Sequence, residues 1–178
     1  MNKNTRSIIK KAYARIELLR KMTNFTTSQQ DKLHIYKTYI RSVLEQSCVV
    51  WSAGISKQNE RELERVQKVS VRLISGNYKS YTEALKNLEL ETLTKRREIL
   101  SNRFSEKCVK NDRTKHMFEI IKKRHNMKLR NSDKYKSPNA RTARMERSAI
   151  PKIINHLNLK HKEQNAIQEK YTYKKNTQ

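Results

Sequence analysis

The stretch that decides the fold class runs from Ser56 to Gly76, SKQNERELERVQKVSVRLISG. Leu63, Val66, Ser70, Leu73 and Ile74 recur at intervals of three and four, the period of one helical face. Ser56 stands where a helix N-cap belongs, and Gly76-Asn77 supplies the stop. Glu60-Arg61-Glu62 and Glu64-Arg65 fall mostly on the other faces and read as solvated i,i+4 partners. The spacing predicts a helix over 57–75.

The same signature recurs on both sides. Upstream, Thr5 can cap a helix to about Met22 with Ile9, Tyr13, Ile16 and Leu19 on one face. After a turn at 24–27, Ser28 with Asp31 resembles a capping box and opens a helix to about Cys48. Its stripe is Leu33, Tyr36, Ile40, Val43, Leu44 and Ser47; Val49, Val50 and Trp51 close it, and Gly54 ends the apolar run. Downstream, Ser80-Tyr81-Thr82-Glu83 is a full capping box before a short helix with Ala84, Leu85 and Leu88. A fifth helix is expected over 93–109 with Leu93, Arg97, Leu100, Phe104 and Cys108 on one face. A sixth is expected over 113–124, capped by Asn111 or Asp112, with Met117, Phe118, Ile120 and Ile121 apolar.

Past this point the composition turns polar and basic. Residues 125–147, with Pro138 among them, read as a linker. Ser148 and Pro151 open a short helix over 148–158 with Ile150, Ile153, Ile154 and Leu157 as its apolar edge. From 159 to 178 almost nothing apolar remains to bury, and a disordered basic tail is expected. The fold class is therefore all-α: a small irregular bundle of five to seven helices, its body a helical unit over 1–124. Only two Gly and two Pro occur in 178 residues, too few for the tight turns of a β-rich chain.

Charge narrows the function. Lys and Arg total 41 against 17 Asp and Glu, a formal net charge of +24. Such an excess repels itself unless a polyanion neutralises it, which points to RNA or DNA. Residues 1–109 hold 22 basic and 11 acidic side chains, while 110–178 hold 19 and 6, so the excess is denser in the second part. A membrane partner is not expected: no run approaches the ~18 apolar residues of a spanning helix, and the first eleven residues lack the apolar core of a signal peptide.

Chemistry is sparse. The three Asp (Asp31, Asp112, Asp133) are far apart, so no paired carboxylates for two-metal phosphodiester chemistry are apparent. Cys48 and Cys108 show no zinc spacing, the five His are scattered, and no phosphate-binding Gly-rich loop or nucleophile elbow is present. No catalytic residue, metal site, cofactor or small-molecule ligand is expected. Lys95-Arg96-Arg97 opens the fifth helix against its dipole, so another interaction is expected to favour these residues. Both phosphate contact and a solvated face remain open for them. The phosphate-contact candidates are Arg96, Arg97, Lys122, Lys123, Arg124, Arg130, Arg141 and Arg144. Tyr78, Tyr81, Tyr135, Tyr171 and Tyr173 are interleaved with the basic residues and could stack on unpaired bases; Tyr36, Tyr39 and Trp51 read as core.

Several strings, in order, resemble one family. Ile35-Tyr36-Lys37-Thr38-Tyr39-Ile40-Arg41-Ser42-Val43-Leu44-Glu45 with Val49-Val50-Trp51 comes first. Leu63 to Lys68, Arg72 to Gly76, Tyr81 to Leu85 and Leu88 to Leu100 follow. Phe104, Lys107-Cys108, Arg130 to Asp133 and Arg144 to Asn158 complete the series. Together they resemble the region downstream of the polymerase palm in jockey-like non-LTR retrotransposon reverse transcriptases, over about residues 5–158. The resemblance implies a thumb and C-terminal extension that grip a template–primer duplex by its backbone. It also implies a palm as protein partner and nuclear or cytoplasmic residence. The family's Ala-Asp-Asp polymerase motif, palm, fingers and endonuclease are not in this sequence. Gln46 stands where an aromatic residue is usual, and Met145-Glu146 where an aromatic and a basic residue often occur. The rival expectation is a helical protein-interaction module, or a decayed relic without autonomous activity.

Overall fold

The computed structural model describes residues 3–76, 78–121 and 133–176, with side chains described as far as Ile167 in the last helix. The chain is all-α. Its helices are α1 (Lys3–Thr23), α2 (Gln29–Ile35), α3 (Arg41–Glu45), α4 (Cys48–Trp51), α5 (Lys57–Ser75), α6 (Tyr81–Asn87), α7 (Leu93–Lys110), α8 (Ala143–Glu146) and α9 (Ala149–Asn176). It divides into two compact units, Met1–Ile99 and Leu100–Gln178.

In the first unit, α1 packs against α5 and α3. Ile8, Ile9, Ala12, Ile16 and Leu19 of α1 meet Tyr36, Ile40, Val43 and Leu44, then Leu63, Val66, Val71 and Ile74 of α5, with Ala84, Leu85, Leu88, Leu90 and Leu93 completing one core. Each large apolar side chain removed from water there contributes roughly 1.5–3 kcal/mol. The capping residues explain where α5 sits: the Ser56 hydroxyl accepts from the Asn59 N–H at 3.3 Å, and Gly76 ends the helix at φ +70°. Thr5, expected as a cap, instead lies buried inside α1, which begins two residues earlier.

The second predicted helix does not run unbroken to Cys48. Tyr36–Ile40 form a π-helical turn in which the Arg41 N–H reaches the Tyr36 carbonyl. The Thr38 hydroxyl donates to the His34 carbonyl inside it, a side chain competing for the helical ladder. The chain then reverses at Ser47, φ 51°, and the indole N–H of Trp51 donates at 2.8 Å to the Gln46 carbonyl left by the break. Buried Tyr36 is satisfied by donating to Gln67 Oε1 at 2.8 Å, and Gln67 Nε2 donates onward to the Glu91 carbonyl at 2.9 Å. Burial pushes the Tyr36 phenol far above its ordinary pKa. At Ser80 the capping box is not formed as read: the Ser80 hydroxyl pairs with that of Thr82, although α6 still starts at Tyr81.

The second unit has its own core of Cys108, Phe118, Tyr135, Ile153, Ile154 and Leu157. The sixth helix expected over 113–124 is not formed in its described part. The Thr114 hydroxyl donates to the Cys108 carbonyl, a 3-10 turn covers Lys115–Met117, and Ile120 then pairs with Tyr135 in an isolated antiparallel bridge. Tyr135, placed by the sequence in a polar linker, is buried in this core. Asn158 holds it there: its Oδ1 accepts from the N–H groups of Lys134 and Tyr135 at 3.1 and 2.8 Å, and its Nδ2 donates to the Tyr135 carbonyl at 2.9 Å. The last helix continues past 158 to Asn176. Just past 158 the described contacts are polar: Lys160 contacts Glu106 and Lys162 lies 2.9 Å from Asp133. The Lys160 ammonium holds the Glu106 carboxyl below the usual range.

Candidate nucleic-acid interface

The three cations that open α7 are held by carboxylates of the first unit. Lys95 Nζ lies 3.1 Å from Glu91, Arg96 Nε 2.9 Å from Glu45, and Arg97 Nη2 3.9 Å from Glu60. Arg97 is only 3 % exposed; its guanidinium donates to Thr94 Oγ1 at 3.2 Å and lies 6.0 Å from the Trp51 ring centre. Burial lowers its pKa, and Glu60 and Glu64 oppose that shift. The dipole penalty at this terminus is offset from the other direction too. The Glu64 carboxylate accepts the Leu93 N–H at 3.0 Å, and Thr92 Oγ1 accepts the Lys95 N–H at 3.3 Å. Arg96 and Arg97 thus serve the fold, Arg97 with almost no surface left for a phosphate.

These pairings change the electrostatics of α5. Glu60 is turned to Arg97, and Glu64 to Tyr81, whose hydroxyl donates to it at 2.6 Å, and to Leu93. Burial, then that hydrogen bond, pushes the Tyr81 phenol far up. Neither carboxylate forms an ion pair with the basic residues of its own helix. Lys57, Arg61, Arg65, Lys68 and Arg72 are all exposed. At 3.6 residues per turn they fall within an arc of about 80° and span ~22 Å along the axis. Arg65 pairs with Glu62 at 3.2 Å. The other four form no ion pair with any described residue; Lys68 instead lies 5.1 Å from the Tyr81 ring centre. Beside the stripe runs an open groove of about 440 Å³, bordered by Lys57, Arg61 and Lys68, by the carboxylates of Glu60 and Glu64, and by Tyr81, Thr92 and Thr94. Such a row can lie along a phosphate backbone, because i,i+4 and i,i+3 steps repeat every ~6 and ~4.5 Å.

Sequence reasoning missed this stripe. The signal was present in the spacing 57, 61, 65, 68, 72, but Glu60, Glu62 and Glu64 interleave with it and read as local partners. In the structure Glu60 pairs with Arg97 and Glu64 hydrogen-bonds Tyr81 and Leu93, so neither forms an ion pair with these cations.

In the second unit, Arg141 and Arg144 are exposed, Arg144 on α8, and neither forms an ion pair with a described residue. Lys122, Lys123, Arg124 and Arg130 lie outside the described residues. Among the tyrosines proposed for stacking, Tyr135 is a core residue and Tyr81 is fixed by Glu64, while the side chains of Tyr171 and Tyr173 lie outside those described. Tyr36 is fully buried as read, whereas Tyr39 is 44 % exposed under the Arg15 guanidinium. Among the described residues no group of three His, Cys, Asp or Glu is arranged to hold a metal ion, and no helix is long and apolar enough to cross a membrane. No family model matches the chain, and neither does any curated protein or solved structure.

Proposed function

We propose that this chain binds nucleic-acid backbone without sequence specificity, with the α5 stripe as its main contact, as the thumb-like region of a non-LTR retrotransposon RNA-directed DNA polymerase. The observation that carries the binding is the set Lys57, Arg61, Lys68 and Arg72, exposed on one face with no ion pair to any described residue, while Glu60 pairs with Arg97 and Glu64 hydrogen-bonds Tyr81 and Leu93. The polymerase assignment rests on the ordered sequence resemblance. Arg141 and Arg144 are auxiliary contacts in the second unit. No catalytic role falls to this chain; the reacting carboxylates would belong to a palm that acts with it.

The rival reading, an orphaned piece that needs a protein to cover its apolar stripe, predicts exposure of Tyr36, Ile40, Val43, Leu44 and Trp51. The first four are at most 5 % exposed, and Trp51 is half-buried against the same core. The test is fluorescence anisotropy with a primed RNA–DNA duplex and with single- and double-stranded DNA. Lys57→Gln, Arg61→Gln, Lys68→Gln and Arg72→Gln together should weaken binding on all of them by at least tenfold. Unchanged affinity in a folded variant would overturn the assignment of the site.

A further inference from the structure

A second cationic face lies on α1. Lys3, Arg6, Lys10, Lys11 and Lys21 are exposed and form no ion pair with any described residue, and the acidic side chain Glu17 is already bound to Arg20 at 2.6 Å. The first turn of α1 holds no acidic residue. Positive charge there opposes the helix dipole by some tenths of a kcal/mol per residue, so helix stability does not account for it. Direction matters as much as charge. α1 buries Ile8, Ile9, Ala12, Ile16 and Leu19 in the core it shares with α5, and α5 buries Leu63, Val66, Val71 and Ile74 in that same core. Each basic row therefore lies on the exposed side of its own helix, away from the residues that helix buries in the core, and the two rows are separate faces of the unit.

We propose that the first unit holds two nucleic-acid segments at once, one on the α5 stripe and one on the α1 face, and so bridges them. The inference rests on the nucleic-acid reading above and extends it from a one-sided grip to a two-sided one. A stiff duplex cannot occupy both faces, since its persistence length of ~150 base pairs forbids wrapping around so small a body.

The experiment uses the full chain and two short DNA duplexes of unrelated sequence, about 20 base pairs each, on the stiffness argument just given. One is tethered to beads and the other is fluorescent and free. The chain should carry the free duplex onto the beads. Arg6→Gln, Lys10→Gln and Lys11→Gln together should reduce that capture to background, while anisotropy on a single duplex falls no more than about threefold. Circular dichroism checks that the variant is folded. Capture that survives the triple substitution overturns the proposal, because the second contact would then come from elsewhere, such as the second unit or a dimer. Binding without capture by the unaltered chain overturns it too and leaves the one-sided reading standing; absence of any binding overturns both.

Discussion

Two kinds of cation occupy the first unit, and their partners separate them. Arg97 is enclosed by Glu60, Thr94 and the Trp51 ring, whereas Arg61 faces solvent with no ion pair to any described residue. Arg97→Ala should destabilise the unit by about 1–3 kcal/mol, through lost packing and an uncompensated neighbour. It should leave duplex affinity within about twofold. Arg61→Ala should do the reverse, with little change in urea midpoint and a measurable loss of affinity. Paired urea melts and anisotropy titrations check both. Gln67→Leu strands the Tyr36 hydroxyl and the Glu91 carbonyl. Leaving buried groups unpaired costs on the order of 1–3 kcal/mol, read as a lower urea midpoint. The two thiols are buried and burial raises both pKa values. At pH 8 less thiolate exists than on a free cysteine, so Cys48 and Cys108 should react with a disulfide reagent only at the rate of opening, and fast in urea. Fast labelling of either thiol in the native chain would contradict that burial.

At the scale of elements, boundaries were legible wherever a local signal set them. α5 starts and stops at the residues its spacing predicts because Ser56 caps it and Gly76 ends it at φ +70°. Gly76→Ala meets no steric obstacle yet must hold φ +70°, and should cost about 1–3 kcal/mol in thermal or urea unfolding. Elements fixed by distant partners were not legible. The apolar run Met117 to Ile121 has helical spacing, but the Thr114 hydroxyl bends the chain and Tyr135 claims Ile120 as an extended partner. Just past 158, α9 meets Glu106 and Asp133, 54 and 29 positions from their lysines in sequence. The site was half legible for the same reason. Composition points to a polyanion, but Arg96 and Arg97 looked available until Glu45 and Glu60 were seen to claim them. Asn158→Ala removes three hydrogen bonds to the 134–135 backbone and should release Tyr135 from the second core. Raised amide exchange at Tyr135 without loss of exchange protection in α5 is the expected outcome.

For the molecule as a whole, a net charge of +24 has to be met by something outside it. The ion pairs of α7 consume only part of the positive charge, and what remains is laid out in rows on α5 and α1. The proposed backbone grip would release counterions, so its strength should fall steeply with salt, by ~0.9 in the log–log slope for each duplex phosphate neutralised. The measurement that tests the account most directly is therefore the slope of log Kobs against log salt concentration on duplex DNA, for the unaltered chain and for the variant with Lys57, Arg61, Lys68 and Arg72 all changed to Gln. The account predicts a steep slope that becomes shallower by up to ~3.6 in the variant, four contacts at ~0.9 each. Equal slopes for the two proteins, or a slope near zero for both, would contradict it.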